Sequence, residues 1–522
     1  MVVEYFFTGV DKADFLVFFD RDSFEISSDM RQRFEQQMNL RTVAISDVKF
    51  PLKSRDELPP VLMALQYIFV AADLNQKVFD LLESKICSGK KKTGRKGMDL
   101  WHILVLAVVR HTCSTNWDTL ETWANHHELV RKVMGVHATA FIEDEKIEFN
   151  YQSILDNVSL IDEALLYEIN QLVVDTGHKV FKKKDDELFA LKTDSYVLET
   201  NVHFPTDLNL LWDSVRKCLD VVEQLRQISN VRGWRKLKVL RKNFKSLFRA
   251  TSQQVFKGRD EKQKKEFVKR YIQQARLLEQ RVAELIKTPP QASKPKQLLE
   301  IITSLDHYKN YVTKFTDQIE RRLIKGEVIP AEEKVYSIFE EHTEWINKGK
   351  LNKKVELGHL VLITTDQYQF IVDYQIMEKQ KDPSQVKGIC QRIKKNFPDK
   401  KIKSHSFDKG FWSKENLQTL QEASLQYAVL PKRGRTNKED KERESEPEFK
   451  KLRNAHSAVE SNINMLEHHG LDRCMDKGLK GYKRNVGLST LAYNLHILGN
   501  GLKEVELKVQ AKKEKARLSR AA

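Results

Sequence analysis

Three acidic residues carry the chemistry that this sequence is equipped to perform. Asp194 lies in ELFALKTDSYVLETNVHFP, Asp408 closes IKSHSFD, and Glu460 lies in EFKKLRNAHSAVESNINMLEHHG. The first two runs read as extended chain and the third has the apolar period of a helix. Carboxylates from two neighbouring strands and a facing helix suit a pair of hard divalent cations. Such a pair can clamp the attacking and leaving oxygens of a displacement at a phosphodiester. Asp194 and Asp408 are 214 positions apart and Asp408 and Glu460 are 52 apart, so only folding can bring them together. Glu467, seven residues beyond Glu460, shares its helix face and is the rival for the third position.

The surrounding elements follow from periodicity. Residues 61 to about 177 read as helices, with Asp99 a candidate N-cap before the apolar run WHILVLAVV at 101–109. That run is too short to span a bilayer and reads as a core helix. Two short strands or a hairpin are expected from about Glu187, followed by a charged helical block at about 207–325. Strands return at 359–377, at IKSHSF and at 425–430, separated by helices, and the helix bearing Glu460 comes last. This order predicts an α/β fold: a mixed five-stranded sheet flanked by helices, with a large all-α insertion after the second strand and an N-terminal helical domain. The expected boundaries are 1–60, with no functional reading, 61–180 for a helical, DNA-binding module, 181–500 for the interrupted catalytic domain, and 501–522 for a basic tail.

Composition narrows the partner. The chain of 522 residues has a formal net charge of +16, which points to a polyanion, most often nucleic acid. Residues 231–271 hold 15 Lys and Arg against 3 Asp and Glu, interleaved with Trp234, Phe244, Phe248 and Phe256, a pattern expected of a phosphate-tracking surface. The candidate DNA contacts are Arg95 and Lys96 in GKKKTGRKGMD, Arg235 and Lys236 in the basic block, Lys432, Arg433 and Arg435 after the last strand, and Arg453 one helical face from Glu460. His456 and Asn464 share that face, and Asn201 and His203 follow Asp194. Five dispersed cysteines with no CxxC pair argue against a disulfide framework or a structural zinc site and fit a reducing compartment. His468, His469 and Cys474 lack a second ligand pair at zinc spacing. The first residues have no basic n-region and do not read as a signal peptide.

With these segments in hand, the chain resembles DDE-type insertion-sequence transposases with an RNase H-like catalytic core, in particular the ISNCY group. The resemblance rests on GRKGMDLWHILVLAVVR (94–110), LKTDSYVLETNVHFPTDLNLLWDSVR (191–216), YSIFEEHTEWINKGKLNKKVELGHLVLITTDQ (336–367), SFDKGFWSKEN (406–416) and AHSAVESNINMLEHHGLDRCMDKGLKGYKRNVGLSTLAYNLHILG (455–499). It implies that Asp194, Asp408 and Glu460 are the catalytic and metal-binding triad, with Glu460 chosen over Glu467 by the AVE phrase. It implies two Mg²⁺ or Mn²⁺ ions, double-stranded DNA as element ends and target, a homodimer on paired ends, no membrane association, and a bacterial cytoplasmic, nucleoid-associated location. The implied activity is binding of terminal inverted repeats, DNA cleavage and strand transfer. A nuclease that does not join, or a non-catalytic DNA-binding protein derived from a transposase, are the alternatives.

Overall fold

A computed structural model describes residues 31–36, 43–88, 97–136, 147–181, 188–291, 294–347, 355–423 and 425–521. The chain divides into two compact units, Met1–Thr200 with His359–Ala522, and Asn201–Gly358.

The first unit begins with seven helices: α1 (Leu58–Val70), α2 (Ala72–Ile86), α3 (Leu100–Thr112), α4 (Trp117–His126), α5 (Glu128–Met134), α6 (Tyr151–Val158) and α7 (Glu163–Val180). Every residue of α3 is buried, polar ones included. A helix apolar all round needs cover on all sides, and its polar groups need partners. Trp101 donates to the Val133 carbonyl at 2.8 Å. Arg110 pairs with Asp476 at 2.7 Å and lies 3.9 Å over the Trp117 ring. Asp99 is the N-cap residue of α3, but its side chain makes no capping bond. No single helix among the described residues is long and apolar enough to cross a membrane.

The sheet begins with β1 (Phe189–Thr200), where sequence periodicity suggests two short strands or a hairpin. No Gly or Pro interrupts this run, and it stays extended for 12 residues. The helical block is therefore inserted after the first long strand rather than the second. The expected count is recovered further on, where the run at 359–377 folds as a hairpin of β3 (Glu356–Thr365) and β4 (Ile371–Met377). Its turn is held by Asp366, whose carboxylate accepts the N–H groups of Tyr368 and Phe370 at 2.9 Å, with Gln369 at φ +73°. The remaining elements are α12 (Val386–Asn396), β5 (Ile402–Phe407), α13 (Lys414–Glu422), β6 (Tyr427–Val429), α14 (Lys438–Ser445), α15 (Pro447–Ala455), α16 (Ala458–Leu466), β7 (Arg473–Cys474) and α17 (Gly478–Ala521). With the two-residue β7 the sheet has seven strands, counting the three-residue β2 (Glu344–Ile346). Its path runs β2-β3-β1-β5-β6, with β4 on β3 and β7 on β1. β5 pairs parallel with both β1 and β6, and β3 with β4 is antiparallel.

The helices before β1 share one apolar core with the sheet, so Leu104, Val108, Leu166 and Val173 belong to the same cluster as Phe189, Leu191, Phe407, Leu491 and Leu495. Sequence periodicity suggests a helical, DNA-binding module over 61–180, and its helices bury apolar side chains in the same cluster as the sheet. A polar tie reinforces the joint. Asp373 on β4 accepts two bonds from Arg392 on α12 and one from the Tyr167 hydroxyl on α7 at 2.7 Å.

The second unit holds four long helices, α8 (Asp207–Ile228), α9 (Leu237–Lys257), α10 (Glu261–Lys287) and α11 (Pro295–Ile319). α8 starts with a capping box, in which the Thr206 side chain accepts from the Asn209 N–H while Asn209 accepts from the Thr206 N–H. The four pack around Leu211, Val215, Phe244, Tyr271, Leu278, Leu305 and Phe315. Three of the aromatics interleaved with the basic run serve this packing. Phe244 and Phe248 stack on Trp212, and Trp234 is buried beneath Arg281, whereas Phe256 remains 62% exposed.

α17 is the long strut of the first unit, packed on α1, α3 and α7. It approaches α1 so closely that a Cβ at Gly499 would fall 1.9 Å from the Pro60 carbonyl oxygen. Because the obstacle is backbone, Gly499→Ala should force the helices apart and destabilise the fold by at least the ~1–3 kcal/mol typical of overpacking. Chemical denaturation would register this as a lower midpoint, and an unchanged midpoint would contradict the close approach.

Candidate active site

β1 changes its buried face at the candidate site. Phe189, Leu191 and Thr193 are buried, then Tyr196, Leu198 and Thr200, with Asp194 and Ser195 both partly exposed at the phase change. The first set packs in the large core and Tyr196 and Leu198 join a second cluster with Val459 and Leu466 of α16. The switch falls where β5 ends. The last register pair of the β1–β5 ladder is Thr193 with Phe407, so Asp194 and Asp408 each stand one residue beyond it. Neighbouring strands lie about 4.8 Å apart, which brings the two acids together at the carboxyl end of β5. Asp408 also accepts a bond from the Gly410 N–H at the start of a 3₁₀ turn, Lys409–Phe411.

The helix facing them is arranged along the strand. His456, in the turn between α15 and α16, bonds the Ser406 hydroxyl at 2.9 Å, and the charges of Asp408 and Lys192 act on its ring. The charge of Glu467, which follows the last residue of α16, acts on the buried Tyr196 hydroxyl. The helix thus runs beside β1 in the same sense. Val459 and Leu466 pack in one cluster with Tyr196 and Leu198, so the helix bearing Glu460 lies against the strand that carries Asp194. Val459, Asn462 and Leu466 are the buried residues of α16, while Glu460 is exposed beside them. Periodicity suggests one long helix here; the chain breaks it at His456–Ser457 and ends it in a π turn, Glu467–Leu471, with Gly470 at φ +92°.

Among the described residues, no group of three or more His, Cys, Asp or Glu side chains is disposed to hold a metal ion. The fit to a divalent ion therefore rests on the Asp194–Asp408 pair, whose all-oxygen donors at an open strand end suit a hard cation. Glu460 lies on the helix packed against β1 and does not close a three-carboxylate group with that pair.

Two features escape the sequence reading. Lys192 is on the same strand face as Asp194, half-buried, with its ammonium pKa lowered by burial. Period-two alternation alone would have paired it with Asp194. Beneath the acids lies a buried polar line in which the Thr193 hydroxyl contacts Thr364 at 2.7 Å and His405 Nε2 at 2.8 Å. No motif spacing advertises these long-range contacts.

The proposed DNA contacts have varied settings. Arg95 and Lys96 lie outside the described residues. Arg235 and Lys236 are exposed at the start of α9. Lys432 is engaged within the fold, 4.4 Å over the Trp412 ring and 3.5 Å from Asp440, whereas Arg433 and Arg435 are exposed around Gly434 at φ +87°. Arg453 is about half exposed and 4.0 Å from Glu444. Of the other residues, His203 pairs with Asp213 of α8 at 3.2 Å, Asn464 is exposed, and Trp345 packs edge-on to Phe204. His469 is buried against the Thr112 carbonyl and His496.

Burial, aided by His456, depresses the His405 pKa to about 3, so the folded imidazole is neutral. An unfolded His titrates near 6.5. Between those values the unfolded chain binds more protons, so the stability contributed by neutral His405 is complete above about pH 6.5 and is lost as pH falls towards about 3. His111, His456 and His496 are lowered by burial as well, and the chain should weaken steadily on acidification. His405→Gln should make that decline shallower by up to ~1.4 kcal/mol per pH unit, read from urea midpoints across the window. An identical decline in the variant would show that His405 titrates normally.

Comparison with known proteins gives one match. No curated protein and no solved structure matches the chain. Residues 320–495 match a family model described as the transposase DDE domain, so the stretch carrying Asp408 and Glu460 is similar to that domain and supports a DDE transposase, with Asp194 lying ahead of the matched residues.

Proposed function

We propose that this protein is a DNA transposase of the ISNCY-like group, with an RNase H-like core, that binds the terminal inverted repeats of an insertion sequence and catalyses divalent-metal-dependent DNA cleavage and strand transfer. The observation that carries the reading is the adjacency of Asp194 and Asp408 at the end of the parallel β1–β5 pair, beneath the helix that bears Glu460. The strand order β4-β3-β1-β5-β6 supports it by making β1 and β5 neighbours. The match over 320–495 supports it independently.

In this reading Asp194, Asp408 and Glu460 hold two Mg²⁺ or Mn²⁺ ions, with Glu460 drawn in from its exposed position. When bound, the ions activate the attacking hydroxyl and neutralise charge on the leaving oxygen. The chain's own groups do the positioning. Lys192 adds positive charge on the face where phosphate arrives, and its partial burial strengthens that charge's field. His456 bonds Ser406 and braces the turn before α16, which sets the height of Glu460 against β1. Arg433, Arg435 and Arg453 contact the DNA backbone from the neighbouring loop and helix. Two protomers act on paired ends.

Asp194→Ala, Asp408→Ala and Glu460→Ala should each reduce Mg²⁺-dependent cleavage of a labelled element end to background while duplex binding persists. Glu467→Ala should still cleave. Normal cleavage by any of the first three variants would remove that residue from the site. Wild-type cleavage with no joined product in a strand-transfer assay would make the protein a nuclease instead. Duplex binding with no metal-dependent turnover would make it a non-catalytic DNA-binding protein.

A further inference from the structure

The second unit carries a feature that its own stability does not require. No Asp or Glu occurs between Glu223 and Asp260, while that interval holds eleven Lys and Arg. On α9, Lys238, Lys242, Lys245 and Arg249 are all exposed. Their spacing of four, three and four residues puts them on one face, a stripe about 16 Å long at the helical rise. The opposite face holds Leu237, Phe244 and Thr251 and is buried in the bundle.

A cationic helix face usually neutralises itself through acids one turn away. Here, among the described residues, the ion pair made by α9 is that of Arg241 with Asp220, and none of the four stripe cations has a carboxylate partner. The first turn of α9 also has no acid, and Lys236 and Lys238 stand where the helix dipole disfavours cations. Four like charges in line, against the dipole and without counter-charge, leave an unneutralised field that suits an external polyanion.

We infer that the outer face of α9, through Lys238, Lys242, Lys245 and Arg249, is a duplex-DNA contact surface within the second unit. The inference deepens the proposed function and rests on it, since it adds a second place where the same DNA is gripped. Duplex DNA is a linear polyanion with a charge every ~1.7 Å of axis, and a straight stripe of cations matches it. The contacts go to phosphates. The surface therefore adds affinity without reading sequence.

The test uses the full chain, a short fluorescent duplex and a salt series in the presence of chelator, so that cleavage plays no part. Each phosphate neutralised adds about 0.9 to the slope of log affinity against log salt. The variant K238Q/K242Q/K245Q/R249Q should bind more weakly, with a slope shallower by about 3 to 4. The charge-conserving variant K238R/K242R/K245R/R249K should keep the wild-type slope. Equal slopes for wild type and the glutamine variant would overturn the inference and leave the proposed function standing. An arginine/lysine swap as damaging as glutamine would overturn it too, by showing that shape rather than charge was lost. If the wild type has no salt-dependent affinity for duplex, the proposed function fails along with it. An anionic vesicle bound less well by the glutamine variant, with duplex slopes unchanged, would assign the stripe to a membrane surface and overturn the inference.

Discussion

The parallel ladder between β1 and β5 is the constraint on which the arrangement of the first unit depends. It fixes Thr193 opposite Phe407 and so brings Asp194 and Asp408, far apart in sequence, to within one strand spacing. The buried side of β1 changes over at that point. Before Asp194 the strand is covered by the core that includes α7 and α12, and after it by α16 and β7. A carboxylate in the middle of a 12-residue strand would ordinarily have to be buried on one face or wasted on the other. At the exchange of faces neither side is fully closed, and Asp194 keeps access to solvent without interrupting the strand.

The polar groups beneath the site are consistent with rigidity. Thr193, Thr364 and His405 join three neighbouring strands through hydroxyl and imidazole contacts, and burial keeps His405 neutral. A neutral ring in that position can serve as hydrogen-bond partner to Thr193 without placing a second positive charge under the acids. The Asp373–Arg392–Tyr167 tie does comparable work on the other side of the hairpin, where a paired buried charge replaces apolar packing. These contacts hold the sheet while leaving α16, bounded by a turn at His456 and a π turn at Glu467, as the less constrained member of the site.

Much of this was legible in the sequence, for definite reasons. The helices before β1 announced themselves by period, and α3 by its unbroken apolar run. The acids were visible as residue types, Asp194 within an extended run and Asp408 at the end of another. What was not legible depends on contacts distant in sequence. The alternation through Asp194–Ser195 reads as two strands because the buried face changes parity there, which a single-sequence period count takes for a break. The turn at Asp366 carries no Gly or Pro and hid a hairpin. Lys432 looked like a free cation until Trp412 and Asp440 were seen beside it. Trp234, Phe244 and Phe248 read as part of a phosphate-tracking surface, yet their use is internal to the four-helix core.

The length of α17 has a consequence for synthesis. Its residues Tyr482 to Leu502 close both apolar clusters of the first unit, covering α1, α3 and α7 on one side and β3 and β4 on the other. Those helices leave the ribosome some three to four hundred residues before their cover does, and meanwhile expose the same apolar faces that α17 will occupy. The first unit is thus an object completed from its distal end. Premature termination anywhere ahead of Tyr482 would yield a chain without a closed core, and the cell would hold either the whole protein or a substrate for its proteases.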